Sequence, residues 1–316
     1  MEHLSRRRAL SMGALAGSAA FASCLKAGAP RRFFGSAGET LGLQIYTLGA
    51  DALKNLDQAF LDIARIGYRS VELLSFGDQN AQAMRHALKR SGLLATGTQT
   101  AFRGPGPNLT DHIGRLIDEA HLLGLRYVAT TLFDIPARLS DHGRDDVGGS
   151  FVRAAAGMTA DDWKEYAEKL NRVGATLKAH GLRIAHHNHN LEFVKVGDVT
   201  GFDLIVTHTD PNLVSFEMDV GWVAAAGHDP IALLHRFPGR FHMMHMKDIK
   251  PSTVPNNEFK QVPAVPGTGV LDWPRLLRTA KAAGVTAYYV EQEAPFETTR
   301  IDAVRRNYRY LSSVTA

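Results

Sequence analysis

The chain has 316 residues, 45% hydrophobic and 22% charged. This suits one large soluble domain with a substantial core, or two small ones. The formal net charge of +4 is front-loaded, with Arg6, Arg7, Arg8, Lys26, Arg31 and Arg32 set against Glu2 and Glu39, so the remainder is near neutral and argues against a nucleic-acid partner.

Ser5-Arg6-Arg7-Arg8-Ala9-Leu10 is a twin-arginine pattern, followed over residues 12–22 by a mild apolar run rich in Ala and Gly. A basic segment running directly into an apolar one has the order of an export signal, and the run is too short for a spanning helix. The expectation is export by the twin-arginine route, with the export machinery as a transient partner, to the periplasm or the outer side of the inner membrane. Cys24, the single cysteine, closes Phe21-Ala22-Ser23-Cys24. That tetrapeptide resembles a lipoprotein processing box, so a lipid anchor at Cys24 and ordinary cleavage nearby both stay open. One cysteine permits no internal disulfide. Residues 1–39 are therefore set apart as a signal and disordered segment, and 40–316 as one domain.

From residue 41 short apolar strands alternate with helical segments. Residues 42–47 (GLQIYT) read as a strand, and 53–66 as a helix closed by Gly67. Strands at 70–74, 93–100 and 126–132 alternate with helices at 81–90 and 111–123. A long polar, Gly-rich loop over 133–157 has the length of a lid or substrate loop. Thr159 then caps a strong helix with Asp161 and Asp162 in its first turn. A fifth strand opens at residue 182, a helix fits 202–208, and a sixth strand covers 213–218. The helix 230–236, the seventh strand 240–246, a Pro-rich loop over 250–269, the helix 273–283, the eighth strand 285–290 and the helix 301–311 complete the chain. Eight strand–helix units point to a single-domain α/β fold, the (β/α)8 TIM barrel. A doubly wound sheet would want a glycine-rich turn after its first strand, and none follows 42–47. Gly267-Thr268-Gly269 reads as a turn.

Residues 182–193, LRIAHHNHNLEF, place three imidazoles, two amides and a carboxylate within seven positions. On a strand His187 and His189 point together and His186 opposite. Burying so many polar groups without partners costs a few kcal/mol each, which disfavours a packing role. Polar residues recur at the other strand ends: Gln44 and Tyr46, Glu72, Thr98 to Thr100, Glu217 and Asp219, His245 to Asp248, Glu291 to Glu293. In a barrel these ends meet at one face. Imidazole with carboxylate suits Zn²⁺, Mn²⁺, Co²⁺ or Fe²⁺ rather than Mg²⁺ alone. Asp219 also fits a helix cap, and the alternation YYVEQE makes Glu291 the acid that continues the inward register.

The HNH-containing strand, Asp219-Val220-Gly221-Trp222, His245-Met246-Lys247-Asp248, residues 265–273 (VPGTGVLDW) and Val290-Glu291-Gln292-Glu293 together resemble the sugar phosphate isomerase/epimerase group of xylose-isomerase-like TIM barrels. The resemblance covers about residues 41–311. It implies one divalent metal held by Glu, Asp, His and Glu, which map to Glu192, Asp219, His245 and Glu291. Epimerases of the superfamily carry the first ligand inside the fifth strand, where His187 stands.

With a divalent ion bound to a carbonyl and hydroxyl, the adjacent C–H becomes acidic and an enediolate is stabilised. His189 or His187 is the candidate base, and Lys247 the candidate for oxyanion charge. Gln44, Tyr46, Glu72 and Trp222 are candidate substrate contacts, with Trp222 and Tyr46 placed to stack on a sugar face. The expected function is a metal-dependent sugar isomerase, epimerase or lyase. Export favours a free or glycosidic 3-keto-sugar over a sugar phosphate. A non-catalytic carbohydrate-binding barrel and an endonuclease for damaged DNA are the rivals, the second disfavoured by the near-neutral barrel. Oligomeric state is open.

Overall fold

In the computed structural model the described residues are 31–35, 38–74, 80–104, 106–140 and 146–316. The twin-arginine stretch, the apolar run and Cys24 lie outside them. Eight parallel strands close into a barrel: β1 (Leu41–Gln44), β2 (Ser70–Leu74), β3 (Leu94–Thr100), β4 (Tyr127–Thr130), β5 (Arg183–His187), β6 (Val214–Asp219), β7 (Phe241–Met246) and β8 (Ala287–Val290). Each pairs with its neighbours in chain order, and β1 closes on β8 through Leu41–Tyr288, Gly42–Tyr289 and Leu43–Val290. The expected (β/α)8 architecture is the observed one.

The helices form where capping and apolar spacing coincide. The longest, Ala160–Ala179, starts with a reciprocal capping box between Thr159 and Asp162 and buries Trp163, Tyr166, Leu170, Val173 and Leu177. Such a cap contributes about 1 kcal/mol, and each large apolar side chain buried adds roughly 1.5–3 kcal/mol. Gly67, at φ 127°, ends Leu56–Ile66, and a Cβ there would lie 2.3 Å from the Tyr308 ring.

Four expectations change. The first strand stops at Gln44 because its side-chain oxygen accepts the Tyr46 N–H, turning Ile45–Leu48 into a 3-10 helix. The presumed long loop contains a helix, Val147–Gly157, capped by Asp146. Gly148 and Gly149 weaken its helical signal, since glycine is a poor helix former, but the Phe133–Phe151 edge contact at 5.1 Å ties it down. Before residue 40, Phe33 and Phe34 are buried against Tyr288 rather than disordered, and Phe33 N–H bonds to Val314 C=O. Two short hairpins also decorate the barrel, Lys195–Val196 with Val199–Thr200 and Asp248–Ile249 with Pro263–Ala264.

The apolar core lies mainly between strands and helices. Inside the barrel a small cluster of Ala129, Ala185, Met243 and Tyr289 fills the lower part. Tyr289 needs the bare backbone of Gly42, whose Cβ would sit 2.7 Å from its ring. Above that plug lie Gln44, Glu72, His187, Glu217, Asp219 and His245, all buried and polar.

Candidate metal centre at the barrel mouth

Strand parity builds the site. On β5 His187 points inward beside Glu217 of β6, its register partner, with Nδ1 3.0 Å from Glu217 Oε2. His186 points outward, where Tyr166 Oη lies 3.0 Å from its Nδ1. Asp219 and His245 face each other in the β6–β7 register. Atoms of His187, Asp219 and His245 all lie within 4.8 Å of one another, and all three residues are buried. Glu291, the first residue past β8, brings Oε2 to 3.1 Å from His245 Nδ1.

The two oxygens of Asp219 divide their roles. Oδ1 accepts the Trp222 N–H at 2.9 Å and caps the helix Val220–Ala225. Oδ2 is buried without a hydrogen-bond partner, with Lys247 Nζ 3.0 Å away. Lys247 also reaches Glu291 Oε2 at 2.8 Å and Glu293 Oε1 at 2.5 Å. Burial opposes its charge, yet Asp219, Glu291 and Glu293 hold its pKa well above the usual lysine value. For His245, burial is likewise outweighed by Glu217, Glu291 and Glu72, which raise its pKa. His189 follows the opposite course: burial and the neighbouring His187 and Lys247 depress its pKa well below the ordinary value. It is therefore neutral, and its buried Nδ1 has no partner.

Glu192, expected as the first ligand, sits elsewhere. Its Oε2 accepts the His189 N–H at 2.9 Å, and its Oε1 lies 3.6 Å from His186 Nε2, on the outer side of β5. The fifth-strand donor that meets Asp219 and His245 is His187. Burial raises the Glu192 pKa to about 8. The expected substrate contacts also separate. Gln44 and Glu72 are fully buried and bonded to each other, Gln44 Nε2 donating to Glu72 Oε2 at 2.6 Å, and Glu72 Oε2 lies 2.6 Å from His245 Nε2. Trp222 is 1% exposed and packs under Lys247, whose Nζ lies 4.9 Å from the ring centroid. Tyr46 is 49% exposed.

Three further residues belong to the site. Glu217 and Gln99 lie under His187, Gln99 Nε2 donating to Glu217 Oε2 at 3.0 Å. Counting back two from Asp219 on an alternating strand finds Glu217. Phe259 stacks on His189, with ring centroids 4.7 Å apart and planes at 26°, and meets Trp222 edge-on. No local signal in the Pro-rich loop marks it.

The family model described as xylose isomerase-like TIM barrel matches residues 60–314. The chain is 26% identical over 203 residues to the inosose dehydratase of Geobacillus kaustophilus (strain HTA426), covering 61% of this chain and 62% of that protein. It thus spans about three fifths of that curated relative's length. Among solved structures, a sugar phosphate isomerase/epimerase from Parabacteroides distasonis ATCC 8503 superposes with a TM-score of 0.68 at 23% identity, covering 88% of this chain and 96% of that one. The 3-keto-D-glucoside 4-epimerase from E. coli gives a TM-score of 0.60 at 15% identity, over 86% of this chain and 98% of that one. At these identities the structural likeness shows the fold.

Proposed function

The chain belongs to the xylose isomerase-like TIM barrel family, and from that premise we propose that it is a divalent-metal-dependent sugar isomerase, epimerase or lyase acting on a keto-sugar or keto-glycoside. The observation that carries this reading is the meeting of His187, Asp219 and His245 within 4.8 Å, with Glu291 Oε2 3.1 Å from His245 Nδ1 beside them. Imidazole nitrogens and carboxylate oxygens in this mixture suit Zn²⁺, Mn²⁺, Co²⁺ or Fe²⁺.

His187, Asp219, His245 and Glu291 are the residues that would hold the ion. When bound, it supplies a Lewis acid that polarises a carbonyl. His189, neutral and with a free Nδ1, is the base that takes the proton from the carbon beside that carbonyl. Lys247, kept protonated by its three carboxylates, donates to the oxygen where negative charge grows. Phe259 stacks on His189 and presents an apolar wall to the C–H face of a sugar, with the buried Trp222 behind both. Return of the proton to the opposite face epimerises, return to the neighbouring carbon isomerises, and loss of a β-substituent eliminates. The carboxylates Asp219, Glu291 and Glu293 crowd the mouth and disfavour a phosphate dianion. That agrees with the export signal read from the twin-arginine stretch, which favours an unphosphorylated sugar.

Elemental analysis of the purified protein tests the reading. We expect one equivalent of a transition-metal ion in the wild type and none in Asp219→Asn, with unchanged circular dichroism. A wild type that stays metal-free after incubation with Mn²⁺, Co²⁺ and Zn²⁺ would refute it.

A further inference from the structure

Four further buried polar side chains, contributed by four different strands, contact the two histidines or their partners. Gln44 of β1 donates to Glu72 of β2 at 2.6 Å, and Glu72 Oε2 lies 2.6 Å from His245 Nε2. Gln99 of β3 donates to Glu217 of β6 at 3.0 Å, and Glu217 Oε2 lies 3.0 Å from His187 Nδ1. The two chains repeat one order: amide, carboxylate, imidazole. Gln44, Glu72 and Glu217 are fully buried and Gln99 is 6% exposed.

Each ring has a second nitrogen not held by its glutamate. His245 Nδ1 is the nitrogen turned to Glu291 and Asp219, at 3.1 and 3.9 Å. His187 has spent Nδ1 on Glu217, which leaves Nε2. A metal-ligating histidine needs its second ring nitrogen held as a donor, since that bond fixes both tautomer and ring plane. A carboxylate acceptor also makes the opposite nitrogen a better ligand.

Resting on the metal reading above, we propose that Glu72 and Glu217 are positioning residues that set opposite tautomers in the two histidines. Glu72 holds the Nε2–H of His245 and frees Nδ1 for the ion. Glu217 holds the Nδ1–H of His187 and frees Nε2. Gln44 and Gln99 keep each carboxylate turned to its histidine. Each amide donates to the same oxygen, Oε2, that faces the histidine, while Oε1 of both glutamates is buried without a hydrogen bond, Glu217 Oε1 lying 3.3 Å from His245 Nε2. The alternative use of the same atoms is a second cation among Glu72, Glu217 and His245, whose atoms also fall within 4.8 Å of one another.

Titration of Co²⁺ into the full chain, read by its visible absorption and by metal stoichiometry, separates these uses. One equivalent in the wild type, with affinity reduced roughly 10- to 100-fold in Glu72→Ala and Glu217→Ala and an altered Co²⁺ spectrum, is the expected result. Glu72→Gln and Glu217→Gln keep an acceptor oxygen and the side-chain shape, so they should fold normally and recover part of the affinity. In the Zn²⁺-loaded wild type, ¹⁵N-histidine NMR should show one ligating histidine protonated at Nε2 and one at Nδ1. Wild-type affinity and spectrum in both alanine variants would overturn this inference while leaving the metal reading intact. Two equivalents in the wild type, falling to one in Glu217→Gln, would replace it with a second cation site. A wild type that takes up no Co²⁺ would sink both readings together.

Discussion

Asp219 shows how one carboxylate divides between two neighbours: Oδ1 caps a helix while Oδ2 lies 3.0 Å from the Lys247 ammonium in the buried site. Asp219→Asn keeps an oxygen for the cap and removes the charge. Its thermal stability should stay within about 1 kcal/mol of the wild type, the size of a cap contribution, while metal content is lost; calorimetry beside elemental analysis reads both. Glu192 gives a pH signature instead. Its pKa of about 8 exceeds the ordinary carboxylate value because of burial, so the native state holds a proton that the unfolded chain releases near its usual pKa. Stability from this group is complete in acid and fades as pH rises toward 8. Glu192→Gln removes that dependence. The variant's melting temperature relative to wild type should be higher at about pH 8.5 than at about pH 5.5, and an equal difference at both would contradict a buried neutral Glu192. At this scale parity was legible within the strands: His187, Asp219 and His245 meet inside the barrel while His186 turns outward to Tyr166. The direction of Glu192 was not, because it follows a 3-10 turn, Leu191–Phe193, where strand alternation no longer applies.

Among elements, the loop after β7 is tied down by one carboxylate. Asp248 accepts the N–H groups of Ile249, Gly267 and Val270 and the indole N–H of Trp273. This joins the His-x-Lys-Asp and Gly-Thr-Gly segments, which alone read as a strand end and a turn. A Cβ on Gly269 would lie 2.1 Å from Asp248 Oδ1. Gly269→Ala should therefore lower the denaturant midpoint by an amount typical of overpacking, roughly 1–3 kcal/mol, with no change expected if the loop were loosely held. Farther along, Asn256 Oδ1 accepts from Asn190 Nδ2 at 2.9 Å and Asn257 donates to the Asn190 carbonyl, fastening the loop to the HNH segment. That clasp carries Phe259, whose φ of 61° is the only positive value at a non-glycine among the described residues. Strain of this kind costs about 1–3 kcal/mol and gathers where function over-determines the backbone. Phe259→Ala should raise KM for a keto-sugar more than it lowers kcat. An unchanged KM would show that Phe259 only packs. Loop contacts like these pair residues about 66 apart, which no local pattern reveals, whereas the eight strand–helix units were readable from periodicity alone.

For the whole molecule, closing an eight-stranded sheet turns scattered residues into one buried polar column: a plug of Met243 and Tyr289, then the Gln–Glu–His layer, then the mouth. Net charge enters at this scale too, since the near-neutral barrel offers no electrostatic reason to hold nucleic acid. Glu217, Glu291 and Glu72 favour the protonated ring of His245, so an ion bound as proposed would compete with a proton there. Metal affinity should therefore fall as pH falls, with proton release visible as buffer-dependent binding enthalpy in calorimetry. The most direct test of the central claim is wash-in of solvent deuterium beside the carbonyl of a keto-sugar, followed by NMR in the purified, chelated and metal-reloaded protein. We expect exchange in the purified protein, its loss on chelation and its return on reloading, with none in His189→Ala. Exchange that continues undiminished in the chelated protein would contradict the account.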